Sequence, residues 1–121
     1  MAHSSTINPC RGEVWDVDLN PTKGAEMQKQ RPVVVMSSDT LRSLPLRLVA
    51  PITGWDSRFD GKVSHVKIAP AKSNGLTKLS AVDTLQLRGI AIERFIKRRG
   101  QLSATELEEV AAAIAAVIEY Q

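Results

Sequence analysis

Two residues in this chain are placed to act on an anion: Arg31 and Thr53. Arg31 opens the segment Arg31-Pro32-Val33-Val34-Val35, and Thr53 closes Ala50-Pro51-Ile52-Thr53. Each polar residue ends an apolar run that reads as a buried strand, so a stiff scaffold holds both. A guanidinium stays protonated at physiological pH and grips phosphate through two parallel hydrogen bonds. A threonine hydroxyl adds a donor beside that fixed charge. Taken singly, Arg31 is an ordinary arginine at a strand entrance and Thr53 a loop hydroxyl bonded to its own backbone. Taken together they make a usable phosphate site.

Other chemistries find less support. Asp16 and Asp18 lie two apart on a predicted strand and share a side. Paired carboxylates bind metals or share a proton, but no His or Cys cluster accompanies them, so neither a metal site nor a cofactor is expected. His3 lies near the N-terminus and His65 stands alone in a strand, where it reads as a packed or surface residue. There is no Gly-rich phosphate loop, nucleophile elbow or HExxH motif. Cys10 is the single cysteine and has no evident partner base. It forms no internal disulfide, and a reducing cytoplasm suits it.

The elements that must position Arg31 and Thr53 are short. Apolar runs of four to eight residues, separated by turn signals, recur as far as residue 102 and indicate a mainly β core. Strands are expected at Gly12–Leu19, Pro32–Ser38, Leu46–Ile52, Val63–Ala69, Ala81–Ile90 (broken near Gly89) and Ile96–Leu102, with a helical turn at Glu93–Phe95. Loops are expected at Asn20–Gln30, Thr53–Lys62 and Pro70–Lys78. Ser103 followed by Glu106 is a capping box. Leu107, Val110, Ala111, Ile114, Val117 and Ile118 then recur at helical spacing, which predicts a helix from about 104 to 119. The chain of 121 residues supports one domain, expected over 11–121 behind a flexible tail at 1–10. The first residues lack the basic start and apolar core of a signal peptide. No apolar run reaches the ~18–20 residues that cross a bilayer, so no membrane partner is expected.

The net charge of +3 hides a segregation. Residues 61–100 carry nine Lys or Arg against only Asp83 and Glu93, whereas residues 101–121 carry four Glu and no base. A basic block followed by an acidic helix suits a polyanion or an acidic protein partner, or else a set of ordinary solvated faces. Trp55 and Phe59 lie in a Gly-containing loop beside Thr53. An exposed ring there stacks a base, worth ~1–3 kcal/mol; equally, Trp55 plugs the end of the core.

The chain resembles the MazF/PemK (Kid) family of toxin ribonucleases. The likeness runs from Arg11 to about Ile118. Its blocks are Arg11-Gly12-Glu13-Val14-Trp15 through Leu19-Asn20-Pro21-Thr22-Lys23-Gly24-Ala25-Glu26, then Arg31-Pro32-Val33-Val34-Val35, then Ala50-Pro51-Ile52-Thr53. A looser fourth block is Gly75-Leu76 with Leu79-Ser80-Ala81-Val82 and Gln86-Leu87-Arg88. The resemblance implies an SH3-like, strongly curved β barrel with a C-terminal helix, working as a homodimer. It implies sequence-specific, metal-independent cutting of single-stranded RNA by 2′-hydroxyl attack, leaving a 2′,3′-cyclic phosphate and a 5′-hydroxyl. The family's catalytic arginine and threonine fall on Arg31 and Thr53. RNA contacts are expected at Glu26, Lys29, Trp55, Lys62, Lys72, Lys78 and Gln86. A cognate antitoxin would lay an acidic, disordered C-terminal segment in the same basic groove.

The chain also departs from the pattern. Some members carry an aspartate two residues after an arginine in the fifth strand; the matching positions here are Asp83 and Leu85, so that pair is absent. No histidine of the first loop matches a catalytic one. Arginine is a poor resting base, because neutral guanidine is rare near pH 7. Arg31 is therefore read as an electrostatic stabiliser that also suits proton donation to the leaving oxygen. Glu26 either orients it or is a loop charge, and the base stays unassigned. The same barrel serves gyrase-poisoning toxins related to CcdB, so the fold alone leaves a non-enzymatic poison as the alternative.

Overall fold

The computed structural model describes residues 7–19 and 30–120. Seven strands form one antiparallel sheet: β1 (Glu13–Asp18), β2 (Gln30–Val35), β3 (Leu46–Gly54), β4 (His65–Ile68), β5 (Ser80–Asp83), β6 (Arg88–Ala91) and β7 (Phe95–Gln101). The order is β4-β5-β3-β2-β1-β7, with β6 paired to β3. Among the described residues one α-helix, α1 (Ala104–Val117), follows. Among the described residues no helix is long and apolar enough to cross a membrane.

β3 is the spine. Its first half pairs with β6 at Leu46–Val49, its middle with β2 at Val49–Pro51, and its last three residues with β5. One nine-residue strand thus belongs to three pairings, and the sheet must curl around it. Two register shifts between β1 and β7 add curvature at the other edge.

The run Val33-Val34-Val35 is wholly buried because successive residues of a strand face opposite sides. Val34 joins Val14, Ala50, Ile52 and Val82 in a cluster that α1 closes with Val110. Val33 and Val35 join Trp15, Val17, Val49, Ile90 and Phe95 on the other face. Each fully buried valine stabilises the fold by roughly 1.5–3 kcal/mol.

The helix begins as the capping box predicts. Ser103 Oγ accepts from the Glu106 amide at 3.1 Å, and Glu106 Oε1 accepts from the Ser103 amide at 2.9 Å. It ends at Val117, two residues before the expected 119, where Glu119 takes a left-handed φ of 60°.

The expected strand over Ala81–Ile90 is in fact two. The chain turns through a 3-10 segment at Thr84–Gln86, while Gly89 lies inside β6. A tertiary bond causes the turn: the buried Thr84 donates through both its amide (3.0 Å) and its Oγ1 (2.8 Å) to the Ser64 carbonyl. The other helical turn spans Ile92–Arg94 rather than Glu93–Phe95. Thr53 and Gly54, expected in a loop, close β3. At the N-terminal end, Asn8 and Pro9 are tied down by the Arg47 guanidinium.

Candidate active site

The catalytic pair predicted from sequence is assembled by register. β2 and β3 pair as Val33↔Pro51, Val34↔Ala50 and Val35↔Val49. The pairing ends at Val33↔Pro51; extended by two residues the same register would bring Arg31 opposite Thr53, and both residues do line the same two cavities. The apolar rows of the core run out at these positions, so two polar groups stand at its rim. Arg31 is exposed, and among the described residues nothing hydrogen-bonds or ion-pairs its guanidinium. All five of its N–H donors are open to a ligand.

Arg31, Ile52 and Thr53 belong to two adjoining cavities at once. The larger, about 460 Å³, runs toward Phe59, His65, Asp83, Gln86 and Arg88. The smaller, about 220 Å³, runs toward Thr77, Lys78 and Arg99. The pair therefore forms the divide between two halves of one depression.

Pairing of β4 with β5 builds the larger cavity's wall by setting His65 opposite Asp83. The imidazole stacks on Phe59 with ring centroids 4.1 Å apart. Its Nδ1 lies 2.9 Å from Ser64 Oγ, and its Nε2 is 3.6 Å from Asp83 Oδ2. Asp83 Oδ1 accepts from the Leu85 amide at 3.1 Å, and Oδ2 accepts from Gln86 Nε2 at 2.8 Å. On the opposite side, Lys78 lies along Gly54: a methyl there would come within 3.2 Å of its ammonium. The bare glycine leaves room for the end of the Lys78 side chain beside Thr53.

Of the residues expected to contact RNA, Gln86 lines the larger cavity and Lys78 the smaller. Trp55, Lys62 and Lys72 line neither. Trp55 packs within its own loop, with the Lys67 ammonium 4.5 Å above its ring and Phe59 edge-on at 5.6 Å. Phe59 is thus the ring that faces the depression. Glu26 and Lys29 lie outside the described residues. Asp16 accepts from Arg99 at 3.2 Å, and the main-chain carbonyl of Asp18 accepts from Arg94 at 3.0 Å. Among the described residues no group of three His, Cys, Asp or Glu is placed to hold a metal ion.

Sequence reasoning missed three wall residues, His65, Asp83 and Arg88, while Phe59 stands beside Trp55 in the sequence as a candidate stacking ring. Asp83 followed three positions later by Gln86, ahead of Arg88, was a readable signal of a capped polar turn. His65 had none, since its place depends on a pairing 18 residues away.

At the rim of this depression, Asp56 caps the short turn Ser57–Phe59. The Arg58 side chain bonded to that carboxylate lowers its pKa to about 2, and Arg58 is raised in return. The fully charged pair holds the turn that carries Phe59.

An open guanidinium facing a hydroxyl, with more cations on both flanks, suits a phosphodiester. Comparison with known proteins agrees. Residues 10–118 match the family model described as PemK-like, MazF-like toxin of type II toxin-antitoxin system. Endoribonuclease MazF9 of Mycobacterium tuberculosis is 35% identical over 106 residues, covering 83% of this chain and 87% of that protein. Endoribonuclease MazF of Staphylococcus saprophyticus is 35% identical over 106 residues, covering 86% of each. The fold of the MazE-MazF crystal structure from Deinococcus radiodurans superposes with a TM-score of 0.76 at 20% identity, over 94% of this chain and 98% of that one. By the extent of the family match and of these two sequence relatives, the chain belongs to the PemK-like, MazF-like toxin family.

Proposed function

We propose that this chain is a sequence-specific endoribonuclease toxin that cuts single-stranded RNA, mRNA above all, without a metal ion. Its effect is to stop translation and growth. The observation that carries the reading is the open Arg31 guanidinium set by register across from Thr53, at the divide of a cationic depression. The relatives' names as endoribonucleases support it.

The proposed reaction is a transesterification. The ribose 2′-hydroxyl gives up its proton to water as its oxygen attacks the adjacent phosphorus, forming one P–O bond while the P–O5′ bond breaks. A 2′,3′-cyclic phosphate and a 5′-hydroxyl remain. Negative charge grows on the non-bridging oxygens, where Arg31 and Thr53 donate hydrogen bonds. Such fixed donors act most strongly in a partly dry site. Arg31 also stands ready to give the leaving oxygen its proton.

The working unit in this reading is a homodimer in the cytoplasm. β6 pairs with β3 alone, and the neighbouring Leu44, Leu46 and Leu48 are exposed, which suits a second copy. Neutralisation by a cognate antitoxin through an acidic disordered segment fits the basic depression. The similar fold solved as MazE-MazF supports that partner.

The test is incubation of the purified chain with mixed single-stranded RNA in excess EDTA. Fragments with 5′-hydroxyl and 2′,3′-cyclic phosphate ends are expected, and a light-scattering mass gives the dimer. Intact RNA across many sequences would overturn the enzymatic reading in favour of a poison that binds a protein target.

A further inference from the structure

The two halves of the depression differ in chemistry. The larger half holds an aromatic stack, Phe59 on His65, and a polar pair, Asp83 with Gln86. The smaller half holds no aromatic ring. It offers Thr77, the Lys78 ammonium and Arg99. Arg99 is fixed there by bonds to the Gly75 carbonyl (3.1 Å) and Asp16 (3.2 Å).

The Gln86 amide is oriented by its neighbour. Amide oxygen and nitrogen are easily interchanged in isolation. Here Asp83 is 8% exposed and its Oδ2 accepts from Gln86 Nε2 at 2.8 Å. A flipped amide would set oxygen against carboxylate, so the polarity is locked. One N–H is held by Asp83; the other N–H and the Oε1 acceptor remain for a ligand. A donor beside an acceptor in fixed order is what reads a base edge, as in amide pairing with adenine. A stacked ring next to it supplies the π face that seats a base. Lysine and arginine can also read guanine, but Arg99 already has Nε committed to the Gly75 carbonyl and Nη1 to Asp16, so the fork a base edge needs is broken up and this half suits a phosphate.

We infer that the nucleotide on the Phe59–Gln86 side of the scissile bond is the one whose base is read, by a Gln86 amide locked by Asp83. The nucleotide on the Lys78–Arg99 side is held by its phosphate alone. The inference rests on the ribonuclease reading above and deepens it. Asp83 is a positioning residue here and Gln86 the specificity-determining one.

The experiment offers the whole chain a single-stranded RNA library with a randomised core and sequences the fragments. The wild-type chain is expected to select strongly at one position on one side of the cut. Gln86→Ala should flatten that position alone, lowering cleavage of the preferred sequence roughly ten- to hundredfold. Asp83→Asn, which frees the amide to flip, should blur the same position. Lys78→Ala should lower binding of all sequences together and reduce the slope of log affinity against log salt by about 0.7. The inference is overturned if Gln86→Ala slows every sequence equally or leaves selection intact, or if Lys78→Ala reshapes it.

A second arm binds the 2′-O-methyl form of the library, which cannot cyclise, to wild type and Gln86→Ala. One-position enrichment lost in the variant supports the inference, and its absence from wild type overturns it. If wild type cuts no RNA, the nuclease reading fails, and this arm still decides the subsite.

Discussion

Two arginines on neighbouring strands put one side chain to opposite uses. Arg47 on β3 is 3% exposed, and protein oxygens take up its guanidinium entirely. Nε donates to the Pro9 carbonyl at 2.9 Å, and Nη1 donates to Leu44 and Leu46 at 2.8 and 2.9 Å. Nη2 donates to Asn8 Oδ1 at 2.9 Å and to the Arg42 carbonyl at 3.3 Å. Arg31 on β2 is exposed, and among the described residues none accepts from its guanidinium. Charge, geometry and scaffold are alike. What separates a structural arginine from a candidate catalytic one is whether the fold has already filled its donor positions.

The largest predicted effect tests the open side of this comparison. Arg31→Ala should lower the cleavage rate by at least ~10²–10³, the usual loss on removing a donor that meets transition-state charge. The melting temperature should not change, because no internal bond is lost. Arg31→Lys should recover little, since an ammonium is a point charge without the planar fork. Thr53→Ala should cost a similar factor. Single-turnover rates on one RNA, beside thermal melts, decide the matter. A near-normal rate in Arg31→Ala would refute its role outright.

The filled side should show the reverse pattern. Arg47→Ala removes five hydrogen bonds, and of the acceptors only the carbonyl of Pro9 belongs to a buried residue, the others lying on the exposed Asn8, Arg42, Leu44 and Leu46. An orphaned buried acceptor costs about 1–3 kcal/mol, so urea unfolding should register a loss of at least about that size. Cleavage per folded molecule should be unaffected. A variant as stable as wild type, or one that folds yet cuts poorly, would dissolve the contrast between the two arginines.

Much of this was legible in the residues. Five of the six expected strands and the helix correspond to observed elements because apolar alternation and turn residues are local signals, while the sixth, Ala81–Ile90, is divided into β5 and β6. Arg31 and Thr53 were legible because a polar residue at the end of a β-branched run is conspicuous. The rest depends on distant contacts. The turn at Thr84–Gln86 carries neither Gly nor Pro; a threonine bonded to Ser64, 20 residues earlier, makes it. The wall of Phe59, His65, Asp83 and Gln86 exists only once β4 has paired with β5. Trp55 and Phe59 share one loop, and no local pattern encodes that Phe59 lines the cavity while Trp55 lies under the Lys67 ammonium.

A third arginine predicts the smallest effect and sharpens the rule. Arg58 is bonded to Asp56 through Nε at 3.1 Å and Nη2 at 2.8 Å, yet its side chain is 82% exposed. Two of its donors are held, against five in Arg47, and by a partner that water replaces at little cost. Arg58→Ala should therefore change neutral-pH stability least of the three, since the Arg58 amide still caps the turn through Asp56. The pH dependence has a definite sign. Asp56 is lowered from 3.8 to about 2 in the folded chain, chiefly by the Arg58 side chain. The stability this adds is present above pH 3.8 and fades as the pH falls toward 2. Unfolding curves for wild type and Arg58→Ala should thus differ by a small constant between pH 5 and 7 and converge near pH 2. A difference that grew on acidification would mean that burial, and not the number of filled donors alone, had been misjudged at this turn.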